Sequence, residues 1–140
     1  MSGSNCKVQT PRGSKDLATL KTILIVAEDE HLVPLLFQAI SQGTPYLAIH
    51  AANGFKAMTI AREIKPDLLL LASSLPEMSG LEFYDYFHAM QALQDIPAIL
   101  ISDYSHLVER EIEHRQLAIL WKPFSSEELI ACIEQAITSQ

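Results

Sequence analysis

The stretch Pro66-Asp67-Leu68-Leu69-Leu70-Leu71-Ala72-Ser73-Ser74-Leu75-Pro76-Glu77-Met78-Ser79-Gly80 decides the fold. Pro66 stops the segment before it, because its ring removes a donor and restricts the preceding residue. The unbroken run Leu68 to Leu71, without polar alternation, marks a strand covered on both faces, as in a parallel sheet between helices. Ser73, Ser74, Pro76, Ser79 and Gly80 then form a turn-rich loop. Thr22 to Ala27, Ala98 to Ser102 and Ala118 to Trp121 repeat the pattern. Tyr46 to Ala51 is a fifth, weaker strand, set off by Pro45 and by Asn53-Gly54.

Segments of helical period separate these runs. Glu30 to Ser41 places Leu32, Leu35, Leu36, Ala39 and Ile40 on one stripe, with Asp29 or Glu30 as cap and Pro34 in the tolerant first turn. Gly54 to Ile64 carries Phe55, Met58, Ile60 and Ala61, and Ser79 to Leu93 is a third helix. Of its aromatics Phe83, Tyr84, Tyr86 and Phe87, two suffice for the core, while Tyr86 and His88 are expected to face water. His106 to Arg115 is a fourth helix. Ser126 to Ile137 is the last, capped by Ser125 or Ser126, with Leu129, Ile130, Ile133 and Ile137 inward. The class is α/β, an alternation of five strands with five helices.

A chain of 140 residues with 49% hydrophobic content holds one continuous core and is too short for two ordinary domains. Residues 1–20 are polar and read as a flexible tail or expression remnant. Lys7, Arg12 and Lys15 there outweigh Asp16, so more than the whole net charge of −7 falls on the remainder. That balance argues against nucleic-acid binding. Cys6 and Cys132 show neither disulfide-framework nor metal-ligand spacing. No apolar run reaches a membrane span and no secretion signal opens the chain, so a cytoplasmic protein without membrane contact is expected. The histidines, at 31, 50, 88, 106 and 114, share no metal spacing, and His31 reads as a surface residue.

The stretch from Pro66 to Gly80 resembles the phospho-acceptor segment of bacterial two-component response-regulator receiver (REC) domains, with its central residue changed. Glu28-Asp29, after the first apolar run, is similar to the family's metal-binding acidic pair. Ser102 stands thirty positions after Ala72, as the family's phosphate-contacting Ser/Thr does, and Lys122-Pro123-Phe124 resembles its Lys-Pro-Phe, whose lysine pairs with the aspartyl phosphate. Singly each match is weak; in this order along one chain they reinforce one another. The resemblance implies a flavodoxin-like (βα)5 three-layer sandwich over residues 21–140, with a parallel five-stranded sheet of order 2-1-3-4-5 and a site at the carboxyl ends of the strands. It also implies a cis peptide before Pro123.

Where the family has an aspartate, this chain has Ala72. Phosphoryl transfer to a carboxylate needs an attacking oxygen, a divalent cation, and a fixed ammonium and hydroxyl around the phosphoryl group. A methyl group supplies no oxygen, and Ser73 and Ser74 have no base to activate them. The resemblance therefore implies a pseudo-receiver: a signalling domain of a phosphorelay that cannot accept phosphate at Ala72, is not an enzyme, and acts by phosphorylation-independent protein-protein interaction. Glu28, Asp29 and the carbonyl of Ser74 would form a vestigial metal pocket, binding magnesium weakly if at all. Alternatively the acidic pair is a solvated cluster or one bridged to Lys122. No other cofactor is expected.

Ser102 and Lys122 occupy the phosphate-sensing positions, and Ile119 stands where the family has an aromatic switch residue. The segment between Ser102 and Lys122 lacks the family's Gly-Ala, so the fourth helix or its following loop should be shortened. Trp121 shares a strand face with Ile119. With Leu107, Val108 or Ile112 they form an apolar interaction patch, or else Trp121 fills space left by the shorter helix. The partners implied are a histidine kinase, an output domain or a second copy, and the chain is a stand-alone domain or a piece of a longer regulator. One rival reading is an ordinary phosphorylatable receiver whose aspartate 72 was replaced in the laboratory. Another is an enzyme or cofactor carrier on the same fold, such as a flavin protein, which would need a phosphate loop where Glu28-Asp29-Glu30 repels anions.

Overall fold

The computed structural model describes residues 20–103, 112, 115 and 117–138. The expected tail lies outside them, as does most of the expected fourth helix. Strands β1 (Thr22–Val26), β2 (Leu47–Ala51), β3 (Leu68–Ala72), β4 (Ala98–Ser102) and β5 (Leu117–Trp121) form one sheet of order β2-β1-β3-β4-β5. Every pairing is parallel. Helices α1 (Leu32–Gly43), α2 (Gly54–Ile64), α3 (Gly80–His88) and α4 (Ser126–Thr138) cover its two faces, and a 3₁₀ turn spans Gln91–Leu93. The order 2-1-3-4-5 is thus as the resemblance implies.

Alternation along the buried strands builds two cores. Leu68 and Leu70 join Ile23, Ile25, Ile99 and Ile101 beneath α1 and α4. Leu69 and Leu71 join Leu24, Val26 and Leu100 beneath α2 and α3. Each fully buried leucine contributes about 1.5–3 kcal/mol of transfer free energy, so the run Leu68 to Leu71, at most 1% exposed, anchors both layers at once. Asp67 fixes where it begins: its carboxylate accepts from the Thr22 amide at 2.8 Å, and its own amide donates to the Thr22 carbonyl at 2.8 Å.

Several helix faces differ from the expected ones. On α1 the buried stripe is Leu32, Val33, Leu36, Ala39 and Ile40, and Leu35 is 61% exposed; the stripe turns by a fraction of a residue, which exchanges Leu35 for Val33. On α2 the buried residues are the small ones, Gly54, Ala57 and Ala61, which let the helix approach the sheet closely; Phe55 faces solvent, and Met58 and Ile60 are only half-buried. On α3 three aromatics are inward, Phe83, Tyr84 and Phe87. Tyr86 faces solvent as expected, but His88 is half-buried: its Nε2 lies 2.7 Å from the Ile96 carbonyl and its Nδ1 3.2 Å from that of Tyr84. The helix ends there, because Met90 is extended and buried Leu93 turns the chain toward β4. Ile130 of α4 is half-buried, while Leu129, Ile133 and Ile137 are buried as expected.

Ser79 and Glu82 form a reciprocal cap on α3, and Ser125 with Glu128 forms another on α4. Gly80 sits where α3 meets the end of β3. A Cβ there would lie 2.2 Å from the Ala72 carbonyl oxygen, a contact that backbone cannot yield. Gly80→Ala is expected to destabilise the fold by about 3 kcal/mol, the upper end of overpacking costs, and urea denaturation checks it. A loss below about 0.5 kcal/mol would show that α3 slides without cost.

Candidate functional site

Parallel strands deliver their carboxyl ends to one edge, and there the ladder continues one residue into the loops. The amide of Ala27 donates to the Ala51 carbonyl at 3.2 Å, that of Ser73 to Ile101 at 3.1 Å, and that of Lys122 to Ser102 at 2.8 Å. The residues that follow β1, β3 and β5 are thereby held around one cavity of about 340 Å³. Glu28, Asp29, Ala72, Ser73, Ser74 and Lys122 all line it. The Lys122-Pro123 peptide is cis.

Ala72 lines this crevice at the end of β3, the central strand of the sheet. Beyond it, Ser74 and Ser79 pair as an isolated antiparallel bridge, closed by Gly80 N–H to Ser73 carbonyl at 2.9 Å and Leu75 N–H to Met78 carbonyl at 3.0 Å. The bridge uses the carbonyls of Ser73 and Met78 and not that of Ser74. A rigid turn therefore fixes the loop on which the two serines sit.

The charges are arranged unequally. Asp29 Oδ1 accepts from the amides of His31 at 2.8 Å and Leu32 at 3.1 Å, which makes it the cap of α1. Those two bonds, with smaller help from the Lys122 and His31 charges, hold its carboxyl below the usual carboxylate range. Glu28 is exposed. The expected bridge from Lys122 is not formed: among the described residues the ammonium has no carboxylate within 4.0 Å, because Asp29 is turned toward its helix and Glu28 toward solvent. A magnesium ion would find Glu28, one remaining oxygen of Asp29, the Ser74 carbonyl and Asp103 around the cavity, with nothing from Ala72. Among the described residues no three acidic, histidine or cysteine side chains are placed to hold a metal. Water would have to complete the octahedral shell that the ion prefers.

Ser102 departs most from expectation. It is 1% exposed, its hydroxyl donates to the Asp103 carbonyl at 3.0 Å, and it does not line the cavity. Asp103 does, with Ile101 and Leu32. Sequence reasoning missed Asp103, although its place immediately after β4 is the same strand-end signal that marks Glu28 and Lys122. Ile119 packs partly against the α2/α3 core, and Trp121, paired with Ser102 in the ladder, is half-buried. Leu107 and Val108, which would complete the apolar patch, lie outside the described residues.

Residues 23–134 match the response regulator receiver domain family. The chain belongs to that family. A polar-differentiation response regulator, DivK, of Brucella anthropi is 36% identical over 85 residues, 61% of this chain and 68% of that protein. Among solved structures, NtrX of Brucella abortus superposes with a TM-score of 0.75 at 21% identity, over 86% of this chain and only 27% of the NtrX chain. The receiver domain of a Pseudomonas aeruginosa sensor histidine kinase, with magnesium coordinated in its active-site cleft, gives 0.76 at 20% identity over 86% and 99%. This receiver domain is thus a module of two-component signalling, and none of its described helices is long and apolar enough to cross a membrane.

Asp29 offers a direct test of the site's electrostatics. Its folded pKa lies below the unfolded value, so its contribution is complete above the unfolded carboxylate pKa of about 3.9 and disappears as pH falls through the folded pKa. Asp29→Ala should cost about 1 kcal/mol at neutral pH through the lost cap. Denaturation at several pH values should show that difference shrinking toward zero in acid.

Proposed function

We propose that this chain is a pseudo-receiver: a signalling domain of a two-component system that takes no phosphate at residue 72 and acts by protein-protein contact. One observation carries the reading. Ala72 lines the strand-end cavity together with the acidic pair and Lys122, and its methyl group can neither attack phosphorus nor ligate a cation. Ser102, turned inward on the Asp103 carbonyl, supports the same conclusion, since its hydroxyl is already engaged. Without a charge change at residue 72, nothing distinguishes an input-on from an input-off state there, and phosphate has no equilibrium to bias.

The function left to the domain is recognition. A histidine kinase, an output domain or a second copy would dock on a surface including Ile119, which packs partly against the α2/α3 core, and Trp121, two positions on along the same strand. Glu28, Asp29 and Lys122 would then serve as a fixed electrostatic and capping frame. Their retention would equally follow from a laboratory replacement of an aspartate at 72, and one experiment bears on both histories. The protein and its Ala72→Asp variant are incubated with magnesium and acetyl phosphate and weighed intact. Only the variant is expected to gain a phosphoryl group; an acyl phosphate on the unaltered protein would overturn the proposal.

A further inference from the structure

Tyr86 and Phe55, 68% and 67% exposed, are the two most exposed large hydrophobic residues among those described. Both flank one groove of about 520 Å³ between α2 and α3, whose floor includes Met58, Met78 and Met90. Two aromatic rims over a methionine floor form an adaptable apolar surface. The single charged lining residue is Arg62, which has neither ion pair nor hydrogen bond among the described residues. Lys56, Arg62 and Lys65 outnumber Glu63 along α2 and its cap, in a chain of net charge −7. Glu82 and Asp85 on α3 offset that excess over the two walls, so the groove is an apolar feature whose one lining charge is the Arg62 guanidinium.

We infer that this groove receives one amphipathic helix of a partner protein, with apolar residues at i, i+3 or i+4 and i+7 and a carboxylate that meets Arg62. The walls are helices with internally paired backbones, so an extended segment would find no free sheet edge, whereas a helix seats its ridge between them. At about 1.5 Å per residue, the wall formed by α2 accommodates about three turns. A second copy in an isologous dimer would set one concave groove against another, with no ridge to fill either and no carboxylate among the lining residues to meet Arg62. The inference is independent of residue 72 and concerns a different surface from Ile119 and Trp121.

A phage-displayed library of single-helix peptides, randomised along one face, tests it on the whole protein. Enriched clones should share the apolar spacing with an Asp or Glu at one end. A synthetic peptide from such a clone should bind at least about tenfold more weakly to Phe55→Ser and to Tyr86→Ser, both exposed positions whose folding circular dichroism verifies. Arg62→Glu should weaken it too, and exchanging the peptide's carboxylate for lysine should restore binding. No enrichment, equal binding by both serine variants, or indifference to the carboxylate would overturn the inference. So would sedimentation showing a self-association that Phe55→Ser abolishes, which would make a second copy the occupant.

Discussion

The structure depends on an unbroken parallel ladder whose three inner strands are shut off from water on both faces. In β1, β3 and β4 the strand interiors are essentially unexposed, so every backbone donor and acceptor there must find its partner within the sheet. A slip of one residue would send alternate leucines to the wrong core. Register is therefore fixed, and with it the positions of the strand ends. Glu28, Asp29, Ala72 and Lys122 share a cavity because Val26 pairs with Leu71, Ala72 with Ile101 and Ser102 with Trp121.

At that edge, the side chains divide structural from chemical duties. Asp29 spends one oxygen on α1, Gly80 keeps α3 tight on the Ala72 carbonyl, and Ser102 closes on its neighbour's carbonyl. Around the cavity that leaves Glu28, Asp103 and Lys122 as its other charged residues, with the Ala72 methyl group among them. In the pseudo-receiver reading the frame would keep the family's shape, because shape rests on the ladder and caps, while lacking the reacting atom that would make the shape responsive. Recognition by surface contact would survive such a loss, since apolar docking needs exposed side chains rather than a nucleophile.

The strands were legible from residues alone: Leu68 to Leu71 cannot alternate, so they must be covered on both faces. Strand order was not, because hydrophobic pattern says nothing of neighbours, and it came from resemblance. Helix faces were legible only where apolar residues outnumbered alternatives. On α2, Ala57 and Ala61 are weak hydrophobic signals beside Phe55 and Met58, yet close packing on the sheet selects the small residues and turns the large ones out. Leu35 lost to Val33 through a small rotation of α1. In the site, Glu28, Asp29, Ala72 and Lys122 were placed by the strand-end rule. The rotamers that decide whether Lys122 bridges, or whether Ser102 faces the cavity, depend on contacts with Leu32 and Asp103 that no spacing records.

The central claim is that residue 72 lines the crevice at the end of the central strand and contributes no oxygen there. Magnesium affinity measures this most directly, by calorimetric titration of the protein beside its Ala72→Asp variant. The account predicts weak, unsaturated binding by the protein and affinity at least about tenfold higher in the variant, since a carboxylate added in the crevice raises both ligand number and charge. Equal affinities would contradict it, and would mean that another side chain, Asp103 foremost, already supplies the central carboxylate.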